Sequence, residues 1–311
     1  MKIMSRYFWL MLIVVAAGVI RLWQLGGVPP SPDWDEAALG YNAYSVLKTG
    51  RDEYGVSFPL SLRSFDDYKP PLYMYLTIPP IALFGLTTWA VRLPSAAMGI
   101  IAVIGVYFLV QEFMKRSGFR SDKTFVALPH VVAFLLAISP WHIQFSRIAF
   151  EANTGLTLNI LGVFAFFRGL GRGIWFSASA FLFGLGLYAY HSERIFVPLL
   201  VLILTTLFYQ QLITQKRAVG IAMVVGVLTI GPLFPVFLSK TSLTRFQGTS
   251  SLADQTAVLA QSVKKLEQDI TDGDPFGRLF DNRRVVWAQT VIAGYLSHFS
   301  LRWIFLTGDN P

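Results

Sequence analysis

The amino-acid sequence predicts an all-α integral membrane protein, a polytopic helical bundle of about 8–9 spans with a long first extracytoplasmic loop carrying short interfacial helices. Three observations predict it. Of the 311 residues, 54% are hydrophobic and only 14% charged, where a soluble domain carries about 25% charge. Apolar runs near span length recur along the chain. Basic residues gather between those runs. Too little charge is present to cover a water-exposed surface, and the composition also excludes disorder and collagen. Cysteine is absent, which excludes thiol catalysis, Cys-ligated zinc and disulfides. The 26 basic and 18 acidic residues leave a formal charge of +8. That excess is assigned to span ends facing anionic membrane lipids. Nucleic acid is not expected as a partner, because no basic patch with interleaved aromatics occurs.

Lys2 and Arg6 precede an apolar run at 7–20. The run is long and no small-x-small site precedes Pro29-Pro30, so it is taken as an uncleaved first span with the N-terminus in the cytoplasm. Residues 26–70 form the first outer loop, with Asp33, Asp35, Glu36, Asp66, Asp67 and Lys69. Within it, 36–48 predicts a short surface helix. Its partly apolar face is Ala38, Tyr41, Ala43, Tyr44 and Leu47, and Gly50 stops it. Apolar segments follow at 72–86, 93–113, 125–139, 152–167, 174–190, 195–212 and 218–238. The clusters Lys115/Arg116/Arg120/Lys123, Arg168/Arg172 and Lys216/Arg217 are assigned to the cytoplasm. Parity conflicts with this: if 72–86 and 93–113 both cross, the first cluster lands outside. A re-entrant segment, a shifted boundary or a broken rule each resolves it. A second polar loop runs over about 239–289, with an amphipathic helix at 258–270. The chain turns apolar and aromatic again at 287–306 and ends at Pro311 without a cap or basic tail. The whole is expected to be one transmembrane domain over 1–311, truncated at its C-terminus, in a plasma or inner membrane.

Four constellations carry chemistry. Asp33, Asp35 and Glu36 crowd a membrane-proximal turn. Like charges so close favour a general base near neutral pH. The alternative is helix capping by Asp33 or Asp35, with Glu36 on the helix dipole. Asp67, Tyr68 and Lys69 precede Pro70-Pro71 at the mouth of a span. There the lysine suits a lipid phosphate or serves as an interfacial anchor. His142, Arg147 and Glu151 sit between two apolar runs. Arg147 and Glu151, four apart, share a helix face, as a functional pair or a local ion pair. His191 and Arg194 offer contacts to a phosphate or sugar, or His191 is a satisfied interfacial histidine. The four histidines, at 130, 142, 191 and 298, lack zinc-pair spacing. No cofactor is assigned, and a divalent cation on the first-loop carboxylates stays open. Neither a Gly-rich phosphate loop nor a Ser nucleophile elbow occurs.

The order of these motifs resembles the GT-C superfamily of membrane glycosyltransferases. It is closest to the family joining protein O-mannosyltransferases, lipid A aminoarabinose transferases and bacterial family-39-like enzymes. The resemblance rests on Asp35-Glu36, Leu47-Lys48-Thr49-Gly50, Lys69-Pro70-Pro71-Leu72-Tyr73, Arg92-Leu93-Pro94-Ser95, Ser139-Pro140 with Ser146-Arg147, His298-Phe299-Ser300 and Gly308-Asp309. It implies a polyprenyl-phosphate sugar donor and a site on the outer face. It also implies Asp35 as general base with Glu36 in support, and Lys69 on the donor phosphate with Arg147 or Arg194. Asp67, Tyr68, His142, Glu151 and His191 are then substrate-pocket candidates, and transfer inverts the anomeric carbon. The chain departs from aminoarabinose transferases at Tyr68, where they carry an acid, and at Ala38, where they carry an arginine. Protein mannosyltransferases have His-Pro-Pro in place of Lys69-Pro70-Pro71. The acceptor is not specified. The competing classes are a transporter or lipid-linked-sugar flippase, and a non-catalytic membrane subunit.

Overall fold

The computed structural model describes residues 2–65, 67–117, 123–239, 256–297 and 299–302. Asp66, Arg120, His298, Gly308 and Asp309 lie outside the described residues. Two compact units are present, 1–237 and 238–311.

The first unit opens with α1 (Lys2–Leu22) and α2 (Trp34–Thr49). Gly50, at φ 70°, ends α2 in the left-handed conformation that glycine adopts without a Cβ penalty. The buried face of α2 is Glu36, Leu39, Gly40, Asn42, Ala43 and Val46. It shares only Ala43 with the face expected from sequence, because the helix packs through Gly40. A Cβ there would stand 2.7 Å from Val91. The loop also holds a feature the helical expectation lacks. Strands β1 (Leu62–Ser64) and β2 (Asp67–Lys69) pair antiparallel in the register Leu62↔Lys69, Arg63↔Tyr68, Ser64↔Asp67.

Next come α3 (Leu72–Phe84), α4 (Thr88–Arg116), α5 (Lys123–Ile138), α6 (Pro140–Arg147) and α7 (Glu151–Gly169). They are followed by α8 (Ile174–Gly186), α9 (Glu193–Leu207), α10 (Tyr209–Thr214), α11 (Lys216–Ile230) and α12 (Phe234–Phe237). Helix α4 is central, packing against α1, α3, α5, α6 and α7. Length and apolarity together single out α4 and the segment Lys216–Phe237 as long enough to cross a membrane, or three spans if α5 and α6 are one bent by 56°. Shorter apolar helices occupy Tyr7–Leu22, Leu72–Phe84 and Ile174–Gly186.

Outward faces are apolar. Val19 on α1, Leu202 on α9, and Val227 and Leu228 on α11 are exposed, a surface that lipid solvates and water does not. Inward faces carry polar groups, among them Arg21, Arg92, Asn153, Thr157 and Asn159, as expected when polar side chains hold helices together inside a membrane. The protein is therefore a helical membrane protein.

Three cores serve this unit. One joins α2, the hairpin, α3 and α4 through Leu39, Leu62, Tyr73, Met74 and Val91. A second joins α1, α4 and α5 around Val103 and Tyr107. The third, around Phe166, Phe176 and Phe183, joins α7, α8, α9 and α11. Helices α7 and α8 approach closely at Gly162, where a Cβ would lie 2.6 Å from the buried Phe183 ring. Gly162→Ala should therefore cost about 1–3 kcal/mol through overpacking, read as a lowered unfolding midpoint in detergent.

The second unit contains α13 (Thr256–Thr271), α14 (Pro275–Phe280) and α15 (Arg283–Ser297). Helix α13 contains the amphipathic segment expected at 258–270. Asp274 caps α14 by accepting from the Phe276 amide at 2.9 Å, and Lys265 pairs with Asp281 at 2.9 Å.

Candidate active site

The carboxylates of the first loop divide their tasks by helix position. Asp33 is the N-cap of α2 and accepts from the Glu36 amide at 2.7 Å, while Glu36 returns the bond to the Asp33 amide at 3.2 Å. This capping box satisfies two orphan donors. Residues of a helix are about 100° apart, so Asp35 points away from Glu36. The Asp35 side chain is 49% exposed, that of Glu36 only 3%.

Glu36 is fully occupied. Oε1 accepts from Arg92 Nε and the Ala149 amide, each at 2.8 Å; Oε2 accepts from Arg92 NH2 at 2.8 Å and from Asp33. A carboxylate accepts about four hydrogen bonds, so no lone pair of Glu36 remains for a substrate. Its support of Asp35 is positional. Arg92 is equally spent. Besides Glu36, it donates to the carbonyls of Leu25 (3.1 Å), Pro29 (2.8 Å) and Ser31 (3.1 Å). This buried guanidinium ties the start of α4 to the loop that presents Asp35. Sequence reasoning did not select Arg92 as a site residue. The available cue was an arginine one turn inside an apolar helix.

Lys69 ends β2 and meets Asp35, with Nζ 2.6 Å from Oδ1. The same ammonium stands 3.8 Å from Glu151 Oε1. Two contacts from the α8–α9 connection hold the strand. His191 Nε2 lies 2.7 Å from the Tyr68 carbonyl, and since a carbonyl only accepts, Nε2 carries the proton. Pro70 and Pro71 have no N–H, and the next amide, that of Leu72, donates to the Tyr188 carbonyl at 3.0 Å. Burial pushes His191 below the ordinary histidine value. Arg194 and Lys69 push the same way, against the Tyr68 hydrogen bond. His191→Ala should loosen the Lys69 strand and cut turnover about tenfold, with a smaller loss for His191→Gln, which retains a donor; steady-state rates of the two variants check this.

Arg147 and Glu151 do not share a helix face. The chain is extended at Ile148 (ψ 160°) and at Phe150 (ψ 113°), so α6 ends and α7 begins between them. Glu151 turns to Lys69, while Arg147 donates to the carbonyls of Ile20, Trp23 (2.7 Å) and Val28 (2.9 Å). His142 accepts from Arg21 at Nδ1, 2.8 Å away, and Arg21 also donates to the carbonyls of Leu136 and Ala137. His142 and Arg147 thus anchor α1 and the first loop. Arg194 lies 5.2 Å from the Phe237 ring centroid. Among the described residues no carboxylate pairs with its guanidinium, and its Nε is buried without a partner.

Asp35, Lys69, Glu151, Tyr68 and His191 therefore converge from four chain segments. Asp67 is described only as a strand residue paired with Ser64. Among the described residues no group of three His, Asp or Glu side chains is arranged to hold a metal ion. A half-exposed carboxylate beside an ammonium can take a proton from an incoming hydroxyl while cations stabilise a departing phosphate.

The family described as dolichyl-phosphate-mannose-protein mannosyltransferase matches residues 68–235, more than half of the chain. No curated protein matches the chain.

Proposed function

The chain belongs to the dolichyl-phosphate-mannose-protein mannosyltransferase family, membrane glycosyltransferases, and from that premise we propose that it transfers a sugar from a polyprenyl-phosphate donor to an acceptor on the outer face of a plasma or inner membrane. Asp35 takes the proton of the acceptor hydroxyl or amine. The acceptor heteroatom bonds to the anomeric carbon from the face opposite the phosphate. The bond to the phosphate oxygen breaks, and its electron pair leaves with polyprenyl phosphate. Configuration inverts. Lys69 and Arg194 stabilise the phosphate; Glu36 positions Asp35 through Arg92 and the α2 cap.

The single observation supporting this reading is the 2.6 Å approach of Lys69 to Asp35, a half-exposed carboxylate beside an ammonium, as a base and a phosphate-binding cation would need to stand. Topology supports the outer face. Helix α3 carries Pro79 and Pro80 in its interior, and each removes a helix hydrogen bond. If α3 stays at the outer interface, crossings pass in turn through α1, α4, α5 with α6, α7, α8, α9 and α11. Lys115/Arg116, Arg168/Arg172 and Lys216/Arg217 then all fall inside, and the parity conflict disappears. The N-terminus is cytoplasmic. Every segment of the site falls outside: the first loop, the α6–α7 break and the α8–α9 connection.

The test is a screen of polyprenyl-phosphate sugars with purified protein, product read by mass spectrometry. Transfer from one donor, with configuration inverted, is the expected result; turnover with nucleotide sugars alone overturns the reading. Lys69→Ala should weaken donor binding about tenfold or more, since a charge-assisted contact is lost. Unaltered donor affinity counts against the phosphate role.

A further inference from the structure

Lys69 stands between two carboxylates, and they are not equivalent. Asp35 is in hydrogen-bond contact at 2.6 Å and half exposed; Glu151 is 3.8 Å away, with a side chain only 7% exposed. The ammonium occupies Oδ1 of the group that must accept the proton of the incoming acceptor. A buried anion beside a lysine but out of hydrogen-bond contact with it has a Coulombic claim on that charge and no bond to it. Resting on the functional reading above, we propose that Lys69 is a two-position cation. It covers Asp35 in the free enzyme, and the donor phosphate draws it toward Glu151, so that the base is uncovered only in the donor complex. Glu151 is the positioning residue of this exchange. It keeps Lys69 at the phosphate once Asp35 has taken up a proton and lost its charge.

The physical balance supports such an exchange. A lysine stem has four rotatable bonds and a compact head, and the two positions differ by about an ångström of travel. Breaking the Asp35 contact costs a charge-assisted hydrogen bond, which a phosphate oxygen replaces with one of the same kind. Arg194, whose Nε has no hydrogen-bond partner among the described residues, is the second cation assigned to the phosphate. Substrate order follows: donor before acceptor. Without donor, water or a stray hydroxyl finds the base engaged.

The test is binding of farnesyl phosphate to the purified full chain in detergent. Removing either carboxylate strips one negative charge from the surroundings of the phosphate, so charge removal alone predicts equal gains in affinity. The two-position cation predicts different results. Asp35→Asn frees Lys69 and should tighten binding about tenfold, the size of a charge-assisted hydrogen bond no longer to be broken. Glu151→Gln removes the second position, leaves Lys69 on Asp35 and should give no gain. Adding Lys69→Met to Asp35→Asn should erase the gain, a double-mutant cycle that assigns it to Lys69. Equal tightening by both single variants, or none by Asp35→Asn, overturns the proposal. Absence of binding to the unmodified protein overturns the functional reading and this one with it. Both single substitutions are isosteric, and matched size-exclusion profiles separate binding changes from misfolding.

Discussion

Asp35→Asn is expected to lower sugar transfer by roughly 10²–10⁴-fold, the range over which a positioned general base acts. The side chain keeps its shape and loses its capacity to take a proton. Folding is not threatened, because the cap of α2 is Asp33 and the buried anchor is Glu36. Expression and unfolding midpoint should therefore stay at the level of the unmodified protein, while product falls toward the detection limit. Single-turnover measurement with donor preloaded isolates the chemical step. A variant that turns over at the original rate would remove Asp35 from the mechanism. Asp33→Asn serves as a control: asparagine also caps helices, so activity should stay within a few-fold.

Arg92→Met carries the largest expected effect on stability. The guanidinium is completely buried and donates to both oxygens of Glu36 and to three carbonyls of the first loop. Taking one partner from a buried pair leaves an uncompensated charge, a loss of about 3–5 kcal/mol. For a domain of this size that lowers the unfolding midpoint by roughly 10 °C or more. Arg92→Lys should recover only part of it, since an ammonium offers three donors where the fork offers five. Activity should fall with both, through the misplaced start of α2. A thermal scan in detergent with parallel turnover checks each step. A stable Arg92→Met variant would show that the loop is held elsewhere.

Legibility differed from residue to residue. The helix at 36–48 and its Gly50 stop were visible because capping and left-handed termination are local chemistry. The membrane-spanning class was visible because solvation by lipid acts on composition. Asp35 and Lys69 were marked by motif order. Their contact was not: they are 34 positions apart, and tertiary contacts such as the hairpin register and the His191–Tyr68 contact bring them together. Arg147 and His142 were marked by their charge and setting, but their partners are helix-terminal groups and an arginine of α1. The Arg147–Glu151 pair failed because helical spacing holds only in an unbroken helix, and the chain is extended at Ile148.

By itself the sequence determined a helical membrane protein with an acidic first loop and a Lys-Pro-Pro entry to its first following helix. These follow from hydrophobicity and from interactions between near neighbours. The tertiary structure alone decided which carboxylate is spent on Arg92 and which stands open beside Lys69. That choice depends on the direction each side chain takes from α2 and on groups brought from α4, α7 and the α8–α9 connection. Their closeness is set by packing, not by spacing along the chain.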